Sequence, residues 1–201
     1  MAGMDNPALL LMVKNPIAGK TKTRLAAEVG NDRALEIYAR LTAHTRSQAS
    51  ALRGVTRYLY YSEFVDSADD WPATDYIKLV QVGAGLGERM SAAFQRAFDR
   101  GHDRVVIIGS DCPGLTTEIL QASLAALSDN DLVIGPATDG GYYLLGLRHP
   151  QPRLFTDMAW STDQVAGETL RRAQVQALRV SELPILSDVD RLADWEASPL
   201  S

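Results

Sequence analysis

Four cations, Lys14, Lys20, Lys22 and Arg24, fall within eleven residues near the start of this 201-residue chain. So many like charges in so short a stretch repel one another unless something negative sits among them. The stretch Val13-Lys14-Asn15-Pro16-Ile17-Ala18-Gly19-Lys20-Thr21-Lys22-Thr23-Arg24-Leu25 directly follows the apolar run Ala8 to Val13, and Pro16 and Gly19 punctuate it. A buried strand that gives way to a sharply turning basic loop suits a phosphate chain. Loop amides and a following helix N-terminus supply donors, and lysine and arginine supply charge. The plainer alternative is a solvated turn with scattered lysines. Two familiar phosphate loops do not account for it. Gly19-Lys20-Thr21 matches the end of the P-loop pattern, but Lys14 stands where its first glycine belongs, and a side chain there removes the tight backbone approach. The dinucleotide fingerprint fails too, because Gly83, Gly85 and Gly87 are spaced G-x-G-x-G and do not follow the first strand.

Carboxylates form the second set of candidates. Asp111 directly follows the apolar run Arg104 to Gly109, where a buried strand holds it rigidly, and a hard oxygen ligand there suits Mg²⁺ (or Mn²⁺) bridging nucleotide phosphates. Its other role would be to cap the Cys112 to Leu115 turn. Asp188 and Asp190 complete the metal set if the C-terminal segment folds back; otherwise they cap the last helix. Asp139 precedes Gly140-Gly141, one glycine more than a turn requires, and close approach of a substrate would explain the extra one. The glycines between Gly83 and Gly87 either let backbone approach a ligand or permit a tight turn. Trp160 could stack a base or sugar, or sit in the core. Cys112 has no histidine nearby in sequence, so packing is its expected role.

The elements that must position these residues read as alternating strands and helices. Asn31 or Asp32 caps a helix with Leu35, Tyr38, Leu41 and Thr45 at helical spacing, and Gly54 closes it. Thr56 to Tyr61 is the second strand, Glu63 to Thr74 an acidic surface loop, and Ile77 to Val82 the third strand. The turn from Gly83 opens a helix with Met90, Phe94, Ala97 and Phe98 on one face. Arg104 to Gly109 reads as the central strand, buried on both faces. A helix capped near Thr117 carries Leu120, Leu124 and Leu127, and Leu132 to Gly135 is the next strand. The Asp139-Gly140 turn predicts that Tyr142 to Leu147 returns antiparallel. Ser161 and Gln164 read as a capping box for a helix containing Val165, Leu170 and Ala173. A short strand near Leu178 to Val180 and a terminal helix follow. The expected fold is a single three-layer α/β/α domain over residues 1–201, with a mixed, mostly parallel sheet. In such sheets ligands bind beyond the carboxyl ends of the strands, where the basic loop, Gly83 to Arg89, Ser110 to Pro113 and Pro136 to Gly141 all fall.

Composition narrows the partners. The chain is 46% hydrophobic and 22% charged, ordinary for a soluble globular protein. No apolar stretch approaches the roughly 18 residues of a membrane span, and Ala8 to Val13 is too short and poorly flanked for a signal peptide, so a cytoplasmic location is expected. One cysteine permits no internal disulfide, and the three histidines have no companions at zinc spacing. A net charge of −5 argues against a nucleic-acid polymer as partner, whereas the local basic cluster suits a small anionic ligand. Oligomeric state is left open.

The string Lys14-x-Pro16-x-x-Gly19-x-x-Lys22-Thr23-Arg24-Leu25, with Gly87-Glu88-Arg89-Met90, Ser110-Asp111-Cys112-Pro113 and Gly135-Pro136-Ala137-x-Asp139-Gly140-Gly141-Tyr142-Tyr143, resembles the glycosyltransferase-A-like family of selenodomain-associated transferases, nearly from end to end. The resemblance implies the nucleotide-diphospho-sugar transferase (GT-A) fold, shared with molybdopterin and 2-phospholactate guanylyltransferases. It implies that Lys14, Lys22 and Arg24 bind phosphate; Pro16, Gly19, Gly83, Gly87 and Arg89 are the further nucleotide-side candidates of these loops. It implies further that Asp111 holds a divalent metal and that Asp139 to Gly141 form part of the acceptor side, where Tyr142 and Trp160 are further candidates. Gly85 and Arg191 depart from the family pattern, at an acidic and a threonine position respectively.

Two enzymatic readings follow. In glycosyl transfer from a nucleotide sugar, Mg²⁺ on Asp111 stabilises the departing diphosphate and Asp139 acts as base or sugar contact. In nucleotidyl transfer, an acceptor phosphate attacks the α-phosphorus of a nucleoside triphosphate while Lys14, Lys22 and Arg24 stabilise the leaving pyrophosphate. A third reading is a nucleotide-binding module that needs no metal.

Overall fold

Alternation of apolar side chains through strands covered on both faces builds the sheet, as described by a computed structural model covering residues 5–201. Along the chain the elements are β1 (Pro7–Val13), α1 (Thr23–Val29), α2 (Asn31–Ala51), β2 (Thr56–Tyr61), β3 (Ile77–Val80), α3 (Leu86–Asp99), β4 (Arg104–Ile108), α4 (Thr117–Ala126), β5 (Leu132–Pro136), β6 (Tyr142–Leu147), α5 (Val165–Val175), β7 (Val180–Glu182) and α6 (Leu192–Glu196). In β1, Leu9, Leu11 and Val13 enter one apolar layer while Ala8 and Leu10 enter the other. β4 does the same, with Val106 and Ile108 on the first side and Val105 and Ile107 on the second. Such two-sided burial is why these strands read as continuous apolar runs.

The strands pair in the order β3-β2-β1-β4-β6-β5-β7. β4 lies at the centre, as expected. β6 runs antiparallel to both β4 and β5, and every other pairing is parallel. Ala49 of α2 and Leu120 and Leu124 of α4 cover one face, and Met90 and Phe94 of α3 with Ala166 and Ala173 of α5 cover the other. The result is the three-layer α/β/α arrangement. A third apolar cluster joins Leu25 of α1, Ala34, Ile37 and Leu41 of α2, and Val189 and Trp195 near the C-terminus. That cluster pins the C-terminal segment against the start of the chain. No helix among the described residues is long and apolar enough to cross a membrane.

Several boundaries differ from the sequence expectation, each for a tertiary reason. The sequence does not announce α1: it starts at Lys22, which takes a left-handed conformation with φ 52° and provides no side-chain cap. α2 is preceded by Gly30 in place of a capping Asn31 or Asp32, and it ends at Ala51, before Gly54. Arg57 reaches back from β2 to accept the role of C-terminal cap, donating to the carbonyls of Ala49, Ser50 and Leu52. The Ser161–Gln164 capping box does not form. Ser161 is itself left-handed (φ 63°), and no side chain caps α5. Instead the Gly140 carbonyl accepts from the Ala166 amide at 2.9 Å, so the β5–β6 turn caps the helix. β7 starts at Val180, two residues later than expected. β3 ends at Val80. Asp188 and Asp190 do not cap α6; the Asp194 carboxylate accepts from the amides of Asp190 and Arg191.

The Glu63 to Thr74 loop is anchored more firmly than its composition suggests. Trp71 is buried edge-on against Tyr76, and Asp69 accepts from the Lys78 ammonium at 2.5 Å, the Tyr61 hydroxyl and the Trp71 amide. Asp69 and Lys78 are only 12% and 14% exposed. Breaking such a pair leaves a charge without partner. We expect Asp69→Ala to lower unfolding free energy by about 3 kcal/mol in urea titration, and a loss below a third of that value would show the pair to be dispensable.

Candidate functional site

Because six of the seven strands run the same way, their carboxyl ends, and the beginning of β6, meet at one rim of the sheet. Five segments converge there: the basic loop after β1, residues 81–86 after β3, Ser110 and Asp111 after β4, the 137–142 turn, and the stretch after β7 that reaches Asp188 to Asp190. Between them lies a cleft with two lobes. One, of about 550 Å³, is lined by Lys14, Lys22, Arg24, Asp111, Asp139, Gly141, Tyr142, Trp160, Asp163, Asp188 and Asp190. The other, of about 530 Å³, is more apolar and is bounded by Met12, Val13, Gln81, Leu86, Arg89, Ile107, Ile108 and Tyr143. Lys14, Leu86, Asp111 and Tyr142 line both.

A chain of charges crosses the first lobe. The Arg24 guanidinium lies 3.1 Å from Asp190, and the Lys22 ammonium lies 3.5 Å from Asp190 and 3.0 Å from Asp111. Lys22 also donates to the Val189 carbonyl at 2.5 Å. Val189 in turn donates its amide to the Asp111 carbonyl at 2.9 Å. The C-terminal segment therefore does fold back onto the end of β4. Asp188 sits in the resulting negative field: burial first, then the charges of Asp111, Asp139 and Asp190, push its carboxyl up to about 7 against the pull of Lys22. Hard oxygens at Asp111, Asp188 and Asp190 suit a divalent cation, and the excess of carboxylates over cations fits one. The expected three-ligand cage is not, however, pre-assembled. Among the described residues no three His, Cys, Asp or Glu side chains are arranged to hold a metal. The Lys22 ammonium occupies the space between Asp111 and Asp190 instead.

The basic loop is built differently from the expected amide cradle. Five of its amides are engaged: Lys14 donates to the Tyr38 hydroxyl, Asn15 to Ser62, Ile17 to the Asn15 carbonyl, and Lys20 and Thr21 to the Ile17 carbonyl. The side chains of Lys14, Lys22 and Arg24 line the charged lobe beside it. Asn15, almost wholly buried, accepts from the Glu63 amide and donates to the Phe64 carbonyl, locking the loop to the end of β2. The Tyr38 hydroxyl ties Lys14 to Ser110, and burial, with the Asp111 charge, raises its pKa. Sequence reasoning missed Asn15, Tyr38, Gln81 and Asp163. The Asn15-Pro16 pair was a turn signal in plain view, whereas Tyr38 looked like one more apolar face residue of α2.

Residues 44–162 match the family described as uncharacterized protein conserved in bacteria (DUF2064). The chain belongs to this family. Related proteins extend the match of DUF2064 to known folds. A candidate nucleotide-diphospho-sugar transferase from Desulfovibrio desulfuricans G20 is 36% identical, with a TM-score of 0.87 over 95% of this chain and 85% of that one. Phosphoenolpyruvate guanylyltransferase of Sphaerobacter thermophilus is 28% identical over 178 residues, 87% of this chain and 84% of the relative. Rv0371c of Mycobacterium tuberculosis H37Rv, solved in complex with manganese, shares the fold at 13% identity, with a TM-score of 0.52 over 95% of this chain and 96% of that one. The glycosyltransferase-A-like resemblance stands, and this DUF2064 chain is a transferase with the nucleotide-diphospho-sugar transferase fold.

Within this DUF2064 cleft, Arg89 lines the apolar lobe, held by the Gly83 carbonyl at 3.0 Å, whereas Pro16, Gly19, Gly83, Gly87 and Gly140 line neither lobe. Three of the glycines singled out for ligand approach, Gly83, Gly87 and Gly140, are crowded by protein, whereas Gly85 and Gly141 line the two lobes. A Cβ at Gly87 would meet the Trp160 ring at 2.7 Å, and one at Gly140 would meet the Asp163 carbonyl at 2.0 Å. Asp139 accepts from the Gly141 amide at 2.9 Å, so it shapes its own turn as well as facing the cleft. The Cys112 thiol, pushed up to about 12 by burial and then by Asp188, packs in the core. Because Gly140 combines φ 86° with that backbone contact, we expect Gly140→Ala to cost about 3 kcal/mol or more of stability by thermal and urea unfolding. A near-neutral result would mean that the 137–141 turn is not packed on the start of α5.

Proposed function

We propose that the protein transfers a glycosyl group from a nucleotide sugar to a small acceptor, with a divalent cation, Mg²⁺ or Mn²⁺, at Asp111. One observation carries the choice: the two lobes differ in chemistry and meet at Lys14 and Asp111. The apolar lobe at the ends of β1 and β4 has the character of a nucleoside site, with Gln81 and Arg89 at hand for polar edges. The charged lobe carries Asp139 and Asp163, which accept bonds from sugar hydroxyls, and Trp160 and Tyr142, which offer ring faces to a sugar. Five carboxylates against Lys14, Lys22 and Arg24 make that lobe a poor host for a strongly anionic acceptor and a good one for a hydroxyl-rich molecule.

In this reading Lys14 and Arg24 hold the diphosphate by charge, and the Leu86 and Tyr142 side chains close the junction against water. Asp139 takes the proton from the acceptor hydroxyl as its oxygen bonds to the sugar carbon and the bond to the diphosphate breaks. Asp111, with Asp188 or Asp190, would hold the cation, which would supply charge neutralisation for the departing diphosphate. A cytoplasmic setting, where nucleotide sugars are made, belongs to the same proposal.

The 28% identity to a guanylyltransferase favours a second reading, nucleotidyl transfer from a nucleoside triphosphate. The leaving group separates the two. With Mg²⁺ and pools of acceptors, we expect nucleoside diphosphate to appear from a nucleotide sugar; pyrophosphate from a triphosphate would install the second reading instead. We expect Asp111→Ala to cut turnover at least about 100-fold, with nucleotide still bound. Turnover that is unchanged, and equally independent of Mg²⁺ before and after the substitution, would overturn the metal assignment.

A further inference from the structure

Lys22 is the one buried lysine or arginine among the described residues. Its side chain is 5% exposed, and its ammonium has three oxygen partners on two segments: Asp111 Oδ2 at 3.0 Å, Asp190 Oδ1 at 3.5 Å and the Val189 carbonyl at 2.5 Å. Its backbone is left-handed (φ 52°, ψ 47°) at the start of α1, a conformation that costs a side-chain-bearing residue roughly 1 kcal/mol and persists only where the surroundings impose it. The three ammonium contacts supply that imposition. An ammonium with three oxygen neighbours, two of them carboxylates, has the partners expected of a small metal cation.

We infer that Lys22 is a tethered counter-ion that holds Asp111 and the Val189–Asp190 segment together before a divalent cation arrives, and that the arriving cation displaces it toward the donor phosphates. Two cations cannot share one pair of carboxylates at contact distance without strong repulsion. The proposal rests on the reading of Asp111 as a cation ligand. It departs from the plain expectation for this loop, in which Lys22 is a free phosphate binder like Lys14, whose side chain has no carboxylate partner among the ion pairs of the described residues. In the inferred sequence of events, Lys22 keeps the site assembled and becomes a phosphate ligand only when metal replaces it. The donor and the metal then reinforce each other's binding, because each removes a competitor of the other.

The test is the affinity of Mn²⁺ for the full-length protein without nucleotide, by electron paramagnetic resonance of free Mn²⁺, in wild type and Lys22→Met. Displacement predicts that Lys22→Met binds Mn²⁺ about tenfold tighter or more, since a like charge at contact distance is gone. It also predicts a lower Tm without metal that Mn²⁺ restores. Equal or weaker Mn²⁺ binding by Lys22→Met overturns the inference and leaves Lys22 a structural lysine. No Mn²⁺ binding by either protein overturns the metal reading itself, and displacement with it. Should Lys22→Met not fold, the wild type decides: the protected ammonium resonance of ¹⁵N-lysine-labelled protein moves or vanishes on Mg²⁺ saturation if Lys22 is displaced, and stays unchanged if it is not.

Discussion

An ammonium group enclosed by Asp111, Asp190 and the Val189 carbonyl joins residues that lie 167 positions apart, and the rim of the sheet is organised around it. Without that contact, Asp111 would face Asp188 and Asp190 as three like charges on two segments. With it, the C-terminal stretch lies along the end of β4, Val189 packs into the cluster formed by α1 and α2, and Arg191 bonds Glu28 of α1. A buried ion pair of this kind adds little net stability, because desolvation offsets attraction. Its effect is on arrangement: it selects the one docking of the C-terminal segment in which the carboxylates converge.

The same economy of partners shapes the loop after β1. Five of its amides are bound within the protein, which braces the loop beneath its cations. A P-loop recruits backbone dipoles, whereas here Asn15 and Tyr38 fix the backbone and leave Lys14 and Arg24 facing the cleft. That division explains why Lys14 can stand where a P-loop needs glycine. No backbone approach to phosphate is required at that position.

The two lobes give the fold a division of labour. Side chains of β1 and β4, which alternate into the core farther down, become the apolar wall of one lobe where their helices no longer cover them. The carboxylates of the acidic lobe all come from loops and turns, none from a strand interior. The candidate site is thus a property of the rim, and the sheet beneath holds its segments together.

Much of the sheet was legible because its signals are local. Thr56 to Tyr61 and Arg104 to Gly109 are β-branched or apolar runs of strand length, and Asp139-Gly140 announces a reversal that places β6 antiparallel. Asp111, directly after the buried central strand, could be identified as a rigid rim carboxylate from position alone. The capping of α5, the start of α1 and the roles of Gly87 and Gly140 were not legible. A glycine records only that space is short, and the neighbour that takes the space, Trp160 or Asp163 here, is far away along the chain. Likewise the residues between Lys14 and Arg24 proclaim a concentration of charge, but which lysine faces a phosphate and which is bound to carboxylates depends on a segment 167 residues distant. The chain by itself determined the strands, their order of burial and the chemistry available at the rim; tertiary structure decided which of those groups meet, because contact between distant segments leaves no periodic trace in sequence.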